Sequence, residues 1–247
     1  MKTKILILAI VCLPIFVCGQ KNSTLRDALP KVEVTPPEFT GIASINKLYN
    51  SSSMEDIGSY LSENFQYPEE ACYVEGTAIV QFIITADGEL TNFNVINSIC
   101  PIIDQEFIRV LETTSGMWKP CLNNLEAVDM EKEVSMMFVA NQQNKSNPKA
   151  YFAKMAKNHF IKANTLFLEN HNLKKALKNY DQTIKYLPYD GSALLVRGLC
   201  RYSLGDMVGA LSDWERINRP GSFDASTLMD EMTSLKGYDE MMAVIEK

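Results

Sequence analysis

The residue types that most often carry out chemistry are few in this chain and widely spaced. Only two histidines occur, His159 and His171, twelve residues apart, and no CxxC motif is present, so a zinc-type ligand set is not expected. The acid pairs Glu69–Glu70 and Glu55–Asp56 lie in amphipathic stretches, where carboxylates are ordinarily solvated. No Ser or Cys nucleophile stands near a candidate base, and no glycine-rich phosphate loop occurs. We expect a non-enzymatic protein with no cofactor, no metal and no small-molecule substrate.

The cysteines divide into two kinds by their surroundings. Cys72, Cys100 and Cys121 could form a disulfide in an exported protein, with three possible pairings that the sequence does not separate. Cys72 and Cys100 flank a predicted strand pair and are one candidate pairing. Cys200 lies on an apolar helix face, which favours a buried thiol.

The N-terminus has the pattern of a secretory signal. Lys2 and Lys4 precede an apolar run, Ile5–Val17, which is shorter than the about 20 residues that span a bilayer. We predict cleavage before Gln20 and a periplasmic or otherwise exported protein. A lipoprotein acylated at Cys18 is the alternative, and bulky Val17 disfavours it.

The charge is distributed unevenly between the two halves. Residues 20–145 contain 8 Lys and Arg against 18 Asp and Glu, whereas residues 146–247 contain 14 against 12. Nucleic-acid binding relies on neutralising phosphates, so the acidic first half argues against that class of partner.

The most informative stretch is Gly76–Asn97. Its apolar residues alternate along the first ten positions, as in a strand with one buried face: Ala78, Val80, Phe82 and Ile84. Asp87-Gly88 predicts a reversal, and Leu90, out of phase with Phe93 and Val95, predicts a bulge after the turn.

The flanking sequence supplies the other elements of a small α+β domain. Helical spacing predicts a helix from Met54 to Phe65 behind a capping box at Ser53, and a short helix that begins at Pro68. A further helix covers residues 102–111 and is stopped by Ser115-Gly116. Residues 133–139 alternate as a third strand. Residues 20–53 are interpreted as a linker.

This order is joined to four short motifs: Tyr67-Pro68-Glu69, Glu75-Gly76-Thr77, Asp87-Gly88 and Trp118-Lys119-Pro120. Together they resemble the TonB C-terminal domain, the receptor-contacting end of a bacterial energy transducer, over about residues 54–140. The resemblance implies an antiparallel three-stranded sheet with helices. In the family, however, the domain usually ends the chain and follows a membrane anchor and a long proline-rich spacer. Here the predicted linker is short and about a hundred residues follow.

The resemblance also implies a binding site for an extended peptide of an outer-membrane transporter or other envelope protein. The peptide would add as a strand to the edge strand 133–139. The candidate partner-binding residues are Gln66, Tyr67, Pro68, Glu133, Ser135, Met137 and Val139. Two alternatives remain. In one, Tyr67 packs under the sheet instead of contacting a partner; in the other, the charged residues Glu131, Lys132 and Glu133 prevent a partner strand from pairing with the edge. We interpret Trp118 as core.

The second half, residues 149–247, is predicted to be helical. Ala176 and Ala210 are 34 residues apart, as are Tyr180 and Trp214, which is the period of tetratricopeptide helix pairs. Residues 149–219 resemble two such repeats, and residues 229–245 predict one or two capping helices. We therefore divide the chain into a signal peptide (1–19), a linker (20–53), a TonB-like domain (54–141) and a helical domain (149–247).

Two functional classes follow. The first is an exported binding protein that captures an envelope protein's peptide, related to transmembrane transport, with a homodimer as a possible state. The second is a tetratricopeptide scaffold for envelope assembly. The helical lysines could bind an acidic peptide end, although a solvated helix surface is their ordinary role: Lys174, Lys175, Lys178 and Lys185.

Overall fold

The computed structural model describes residues 6–10, 33–41, 57–71, 74–140, 146–217 and 232–245. The described residues fall into two compact units, of which the first ends at Ala140 and the second begins at Ser146. The first combines antiparallel strands with helices, and the second is helical, so the α+β fold class is confirmed. Among the described residues, no helix has both the length and the apolar character that a membrane span requires.

The described residues of the first unit form nine strands and two helices. The strands are β1 Leu6–Ile10, β2 Val34–Thr35, β3 Glu38–Phe39, β4 Gly76–Ile84, β5 Leu90–Asn97, β6 Trp118–Lys119, β7 Cys121–Asn123, β8 Glu126–Val128 and β9 Met130–Val139. The helices are α1 Ile57–Asn64 and α2 Pro101–Glu112, with a short 3-10 turn at Glu69–Ala71 between α1 and β4. The predicted capping box at Ser53 lies outside the described residues.

The main sheet has the order β1-β9-β4-β5, and all of its neighbouring strands are antiparallel. Its last three strands are those predicted from sequence. Gly88 has φ +82° in the turn between β4 and β5, a conformation that favours glycine. The bulge is also present, although it lies at Asn92, with φ +55°, rather than at Leu90.

One face of this sheet carries the core of the unit. Alternate residues of β4 and β9 pack with the inward faces of α1 and α2, including Leu61 and Phe107. Trp118 closes this core as predicted, and its Nε1 donates to Thr114 Oγ1 at 3.0 Å. A Cβ on Gly88 would lie 2.2 Å from the Trp118 carbonyl oxygen, so the turn requires glycine on two counts.

Part of the other face of the sheet is buried too, which corrects our expectation of a single buried face. Thr77, Ile79, Ser135 and Met137 are all less than 9% exposed. The period-two pattern is still obeyed, because these side chains alternate with the core residues. Ile79 and Met137 are apolar, and removing their area from water is favourable.

The segment interpreted as a linker also contributes to the fold. β2 pairs with β7, and β3 pairs with β6. Pro36 and Pro37 separate the two strands and lack N–H donors, so each strand is only two residues long. Phe39 then packs on Trp118, with ring centroids 5.1 Å apart.

The second unit contains five described helices: α3 Pro148–Asn164, α4 Leu173–Tyr186, α5 Gly191–Leu204, α6 Met207–Ile217 and α7 Tyr238–Ile245. A wider turn, Thr165–Glu169, continues α3. Side-chain caps begin three of the helices: Asn147 accepts from Ala150 N, Asn172 from Lys175 N and Asp190 from Ala193 N. Gly205, with φ +90°, ends α5 in the left-handed conformation.

The residues of the 34-residue spacing lie in the core of this unit. Ala176, Tyr180, Ala210 and Trp214 are all fully buried. A Cβ on Gly198 would lie 2.1 Å from Trp214 Nε1, so α5 and α6 approach closely at this glycine.

Two polar features hold the second unit together. Arg197 donates two hydrogen bonds, at 2.9 and 2.6 Å, to the buried carboxylate of Asp213, which also accepts from Arg201 at 2.9 Å. Tyr202 donates to Glu240 Oε1 at 2.5 Å and fastens α7 to α5. Among the described residues of the predicted capping region, α7 is one such helix, and the first residue of that region, Met229, lies outside the described residues.

The thiols for which the structure provides a description are free: Cys100, Cys121 and Cys200. The candidate pairing of Cys100 with Cys72 is thus not formed, and Cys72 itself lies outside the described residues. Cys200 is fully buried, as predicted, and burial raises the pKa of its thiol to about 11.

Candidate functional site

The outer side of β9 is occupied by another strand of the same chain. β1 pairs antiparallel with it, from Leu6 opposite Val139 to Ile10 opposite Ser135. We expected an open edge at residues 133–139, and within the described residues only the part before Ser135 lies beyond the β1 pairing. An unpaired edge offers a row of backbone donors and acceptors, and the apolar N-terminal run is rich in residues that favour strands. The edge therefore binds a strand.

The side chains of β9 limit what a partner could contact there. Ser135, Met137 and Val139 point away from the core, as predicted, but are at most 4% exposed, and Glu133 is half-buried. Backbone N–H and C=O groups are consequently the main chemistry that this edge presents. A partner would gain affinity from main-chain hydrogen bonds and specificity from neighbouring surfaces.

The predicted Gln66–Pro68 segment lies next to this part of β9. The ring of Tyr67 is 6.3 Å from that of Phe138, and the ring of Phe65 is 5.2 Å from it. Tyr67 OH donates to Val74 O at 3.5 Å, so Tyr67 packs against the sheet, as the alternative interpretation predicted. The structure thus brings the two halves of the candidate site together at Phe138, which pairs with Ile7 on its outer side.

A charged pair on α2 fixes the path of this segment. The backbone N–H of Gln66 donates to Glu106 Oε1 at 2.8 Å, while the Gln66 side chain is exposed. Arg109 donates to both oxygens of Glu106 at 2.7 Å, and these bonds hold the pKa of that carboxyl below its usual range. The contact between Glu106 and Gln66 was not predicted from the sequence. Its only local sign is the three-residue spacing of Glu106 and Arg109.

A second anchor lies at the end of β9. Glu75 Oε1 accepts from Ala140 N at 3.2 Å and so satisfies a backbone donor just beyond the strand. Glu75 belongs to the Glu75-Gly76-Thr77 motif, which the sequence singled out without a role for this side chain. This contact fixes the end of β9, while the Glu106 anchor fixes the neighbouring Gln66 segment.

The remaining chemistry of the unit is modest. Burial raises the pKa of Asp104, and hydrogen bonds from Ser98 Oγ to Oδ2 and from the Ile99 backbone N–H partly offset this rise; Oδ1 is buried and has no partner of normal hydrogen-bond geometry. Glu69 and Glu70 are exposed. In the described ranges, no group of three or more His, Cys, Asp and Glu side chains could hold a metal ion.

Comparison with known proteins agrees with the geometry of the first unit. Residues 63–140 match the family model described as Gram-negative bacterial TonB protein C-terminal. A search of curated proteins gave no match to the chain. The matched segment runs from the end of α1 to the end of β9 and includes the whole candidate site except the added strand β1. About a third of the chain is therefore similar to this family, and residues 63–140 are supported as a TonB C-terminal domain.

Proposed function

We propose that this protein is a non-enzymatic, exported binding protein of the cell envelope. Its first unit captures an extended peptide of an outer-membrane transporter or another envelope protein by strand addition at the outer side of β9. The kind of partner comes from the family match over residues 63–140, because TonB-type domains act on transporters of the outer membrane. No cofactor, metal or small-molecule substrate is part of this proposal.

One observation carries the proposal: the β9 edge already accepts a strand. β1 forms an antiparallel ladder with five residues of β9, Ser135 to Val139. Strand addition depends on backbone groups, so an edge that binds one apolar segment accepts others of suitable shape. The buried side chains of Ser135 and Met137 leave the backbone as the shared determinant.

The source of β1 suggests how the edge becomes available. Leu6–Ile10 lies inside the run that we interpret as a secretory signal. Cleavage before Gln20 removes β1 and leaves the outer side of β9 for a partner. In the uncleaved chain, the same run shields an aggregation-prone edge.

Beside the edge, Gln66 is the most accessible residue of the predicted site. Its backbone is fixed by Glu106, while its side chain is exposed and can donate and accept hydrogen bonds. We assign the contacts that distinguish one extended peptide from another to this residue, since the edge itself reads only backbone.

The test compares two forms of the protein as baits for solubilised envelope proteins. We expect the chain that begins at Gln20 to retain an outer-membrane transporter, and the full chain to retain much less of it. A Gln66→Ala variant of the shorter chain should bind more weakly, because it keeps the edge and loses the adjacent polar contact. Equal retention by the full and shorter chains would contradict strand capture at β9.

The helical unit supports a second candidate function, a scaffold for envelope assembly. The full burial of Ala176 and Ala210, the close helix approach at Gly198 and the cap made by α7 suit a short array of tetratricopeptide-like helix pairs. If the retained proteins are components of an assembly machine and depend on the helical unit alone, this candidate replaces the first.

A further inference from the structure

The first two helices of the second unit carry a concentrated positive charge. Residues 149–185 contain eight lysines and no arginine, against two acids, Glu169 and Asp181. All of the lysines except Lys185 are exposed. Among the described residues, none of the eight forms an ion pair. This positive charge is therefore available to a partner.

Apolar side chains lie within the same surface. On α3, Lys154, Lys157 and Ile161 have the three- and four-residue spacing of one helix face, opposite the buried Phe152 and Ala156. Ile161 is 54% exposed, and Leu168, in the turn that continues α3, is 44% exposed. We call these four exposed residues, Lys154, Lys157, Ile161 and Leu168, the α3 outer face.

We propose that the α3 outer face docks the helical unit onto an anionic lipid surface. Peripheral helices bind such surfaces by combining lysines, which are attracted to the phosphates of the headgroups, with apolar side chains that enter the headgroup region. Ile161 and Leu168 supply the apolar part, and Lys154 and Lys157 supply the attraction. In this proposal the helical unit lies on the membrane surface and does not cross the bilayer.

The composition of the face favours a lipid surface over an acidic protein. Protein interfaces are enriched in arginine and depleted in lysine, because the planar guanidinium binds carboxylates with two parallel hydrogen bonds. Here every basic residue of the helix pair is a lysine, although the same unit uses arginines for its own buried carboxylate, Asp213. A flexible point charge suits a fluid array of phosphates better than one fixed carboxylate.

The test measures co-sedimentation of the full chain with vesicles. The probe vesicles contain phosphatidylcholine with 30% phosphatidylglycerol, and pure phosphatidylcholine vesicles measure any binding by the N-terminal apolar run. We expect the anionic vesicles to bind more strongly and the difference to shrink with added salt. Each lysine lost near the surface should weaken the preference about fivefold, so Lys154→Gln/Lys157→Gln should lower it about 30-fold.

Two further variants make the result specific. Lys119→Gln/Lys236→Gln removes the same charge from other places and should keep the preference for anionic vesicles. Ile161→Asn keeps the charge and should weaken binding about fivefold through lost apolar burial. Equal losses in the two double variants would overturn the proposal, since net charge alone would then explain binding. Binding that is displaced by poly-L-glutamate and unaffected by Ile161→Asn would also overturn it and would identify an acidic protein as the partner.

Discussion

Where α5 and α6 approach closely, the effect of Gly198→Ala on stability should change sign depending on one neighbouring residue, Trp214. In an ordinary helix, replacing glycine by alanine stabilises the helix by about 1 kcal/mol. At Gly198, however, the new Cβ would lie 2.1 Å from Trp214 Nε1 and within 2.8 Å of two further indole atoms. These distances are far below van der Waals contact, so either the helix or the indole must move.

The surroundings of Trp214 prevent an easy shift. The side chain is fully buried, its Nε1 donates to Leu195 O at 3.3 Å, and its ring lies 6.0 Å from that of Tyr202. Overpacking a core costs about 1–3 kcal/mol, and a rigid aromatic neighbour places this site in the upper half of that range. After the gain in helix propensity, we expect Gly198→Ala to lower the free energy of unfolding by about 1–2 kcal/mol.

A double-mutant cycle tests this reasoning by urea unfolding followed by helical circular dichroism. Trp214→Leu removes the indole, so in that background Gly198→Ala should raise the free energy of unfolding by about 1 kcal/mol. The coupling energy between the two sites should then be at least about 2 kcal/mol. If Gly198→Ala stabilises the parent protein, the packing of α5 on α6 is not as described.

Three other predictions concern separate parts of the chain. Ala176→Leu and Ala210→Leu should each destabilise the helical unit by about 1–3 kcal/mol in thermal melts, and parent-like melting of both would contradict the 34-residue register. Asp104→Asn should stabilise the first unit by about 1 kcal/mol at pH 7. Burial of a carboxylate oxygen without a partner is destabilising, and this effect exceeds the favourable interaction of the negative charge with the N-terminus of α2. Because burial raises the pKa of Asp104, the parent protein should be no less stable than the variant below about pH 4, and the stability difference should grow as the pH rises through the folded pKa. A stability difference that does not depend on pH would exclude this cause. N-terminal mass analysis of exported protein should find Gln20 first, and an intact Met1 or an acylated Cys18 would contradict cleavage.

The regular elements could be predicted because their side chains repeat with the period of the structure. The alternation in Gly76–Ile84 and the helical stripe in residues 102–111 both specify one core face. The burial of the second face of the sheet was missed, because Thr77, Gln81 and Thr85 gave that face a polar appearance while Ile79 was given no weight.

The strands that the sequence did not predict, β1 to β3 and β6 to β8, have no usable period-two pattern. β2 and β3 are two residues each and flank a pair of prolines, so they are too short for any periodicity. β1 belongs to a run that is apolar at every position, and this pattern is equally typical of a signal peptide. An edge that accepts a strand leaves no side-chain pattern, because its donors and acceptors are the same at every residue.

The candidate site rests on the resemblance rather than on periodicity, and its role in binding stays a prediction. Gln66–Pro68 and strand 133–139 were named, and Phe138 is where they meet. Their anchors were not foreseen, because Glu106 is 40 residues from Gln66 and Glu75 is 65 residues from Ala140. Contacts at such separations depend on the completed fold.

The most direct test of strand capture uses the protein's own β1 sequence as the probe. The chain that begins at Gln20 is titrated with two synthetic peptides of residues 4–11, which differ in the positions of N-methyl groups. One carries them at Leu6, Leu8 and Ile10, and the other at Ile7 and Ala9. In a strand, alternate N–H groups point to opposite sides, so one set faces β9 and the other faces solvent. We expect one peptide to bind like the unmethylated peptide and the other not to bind. Equal binding by both peptides would contradict a backbone ladder at β9.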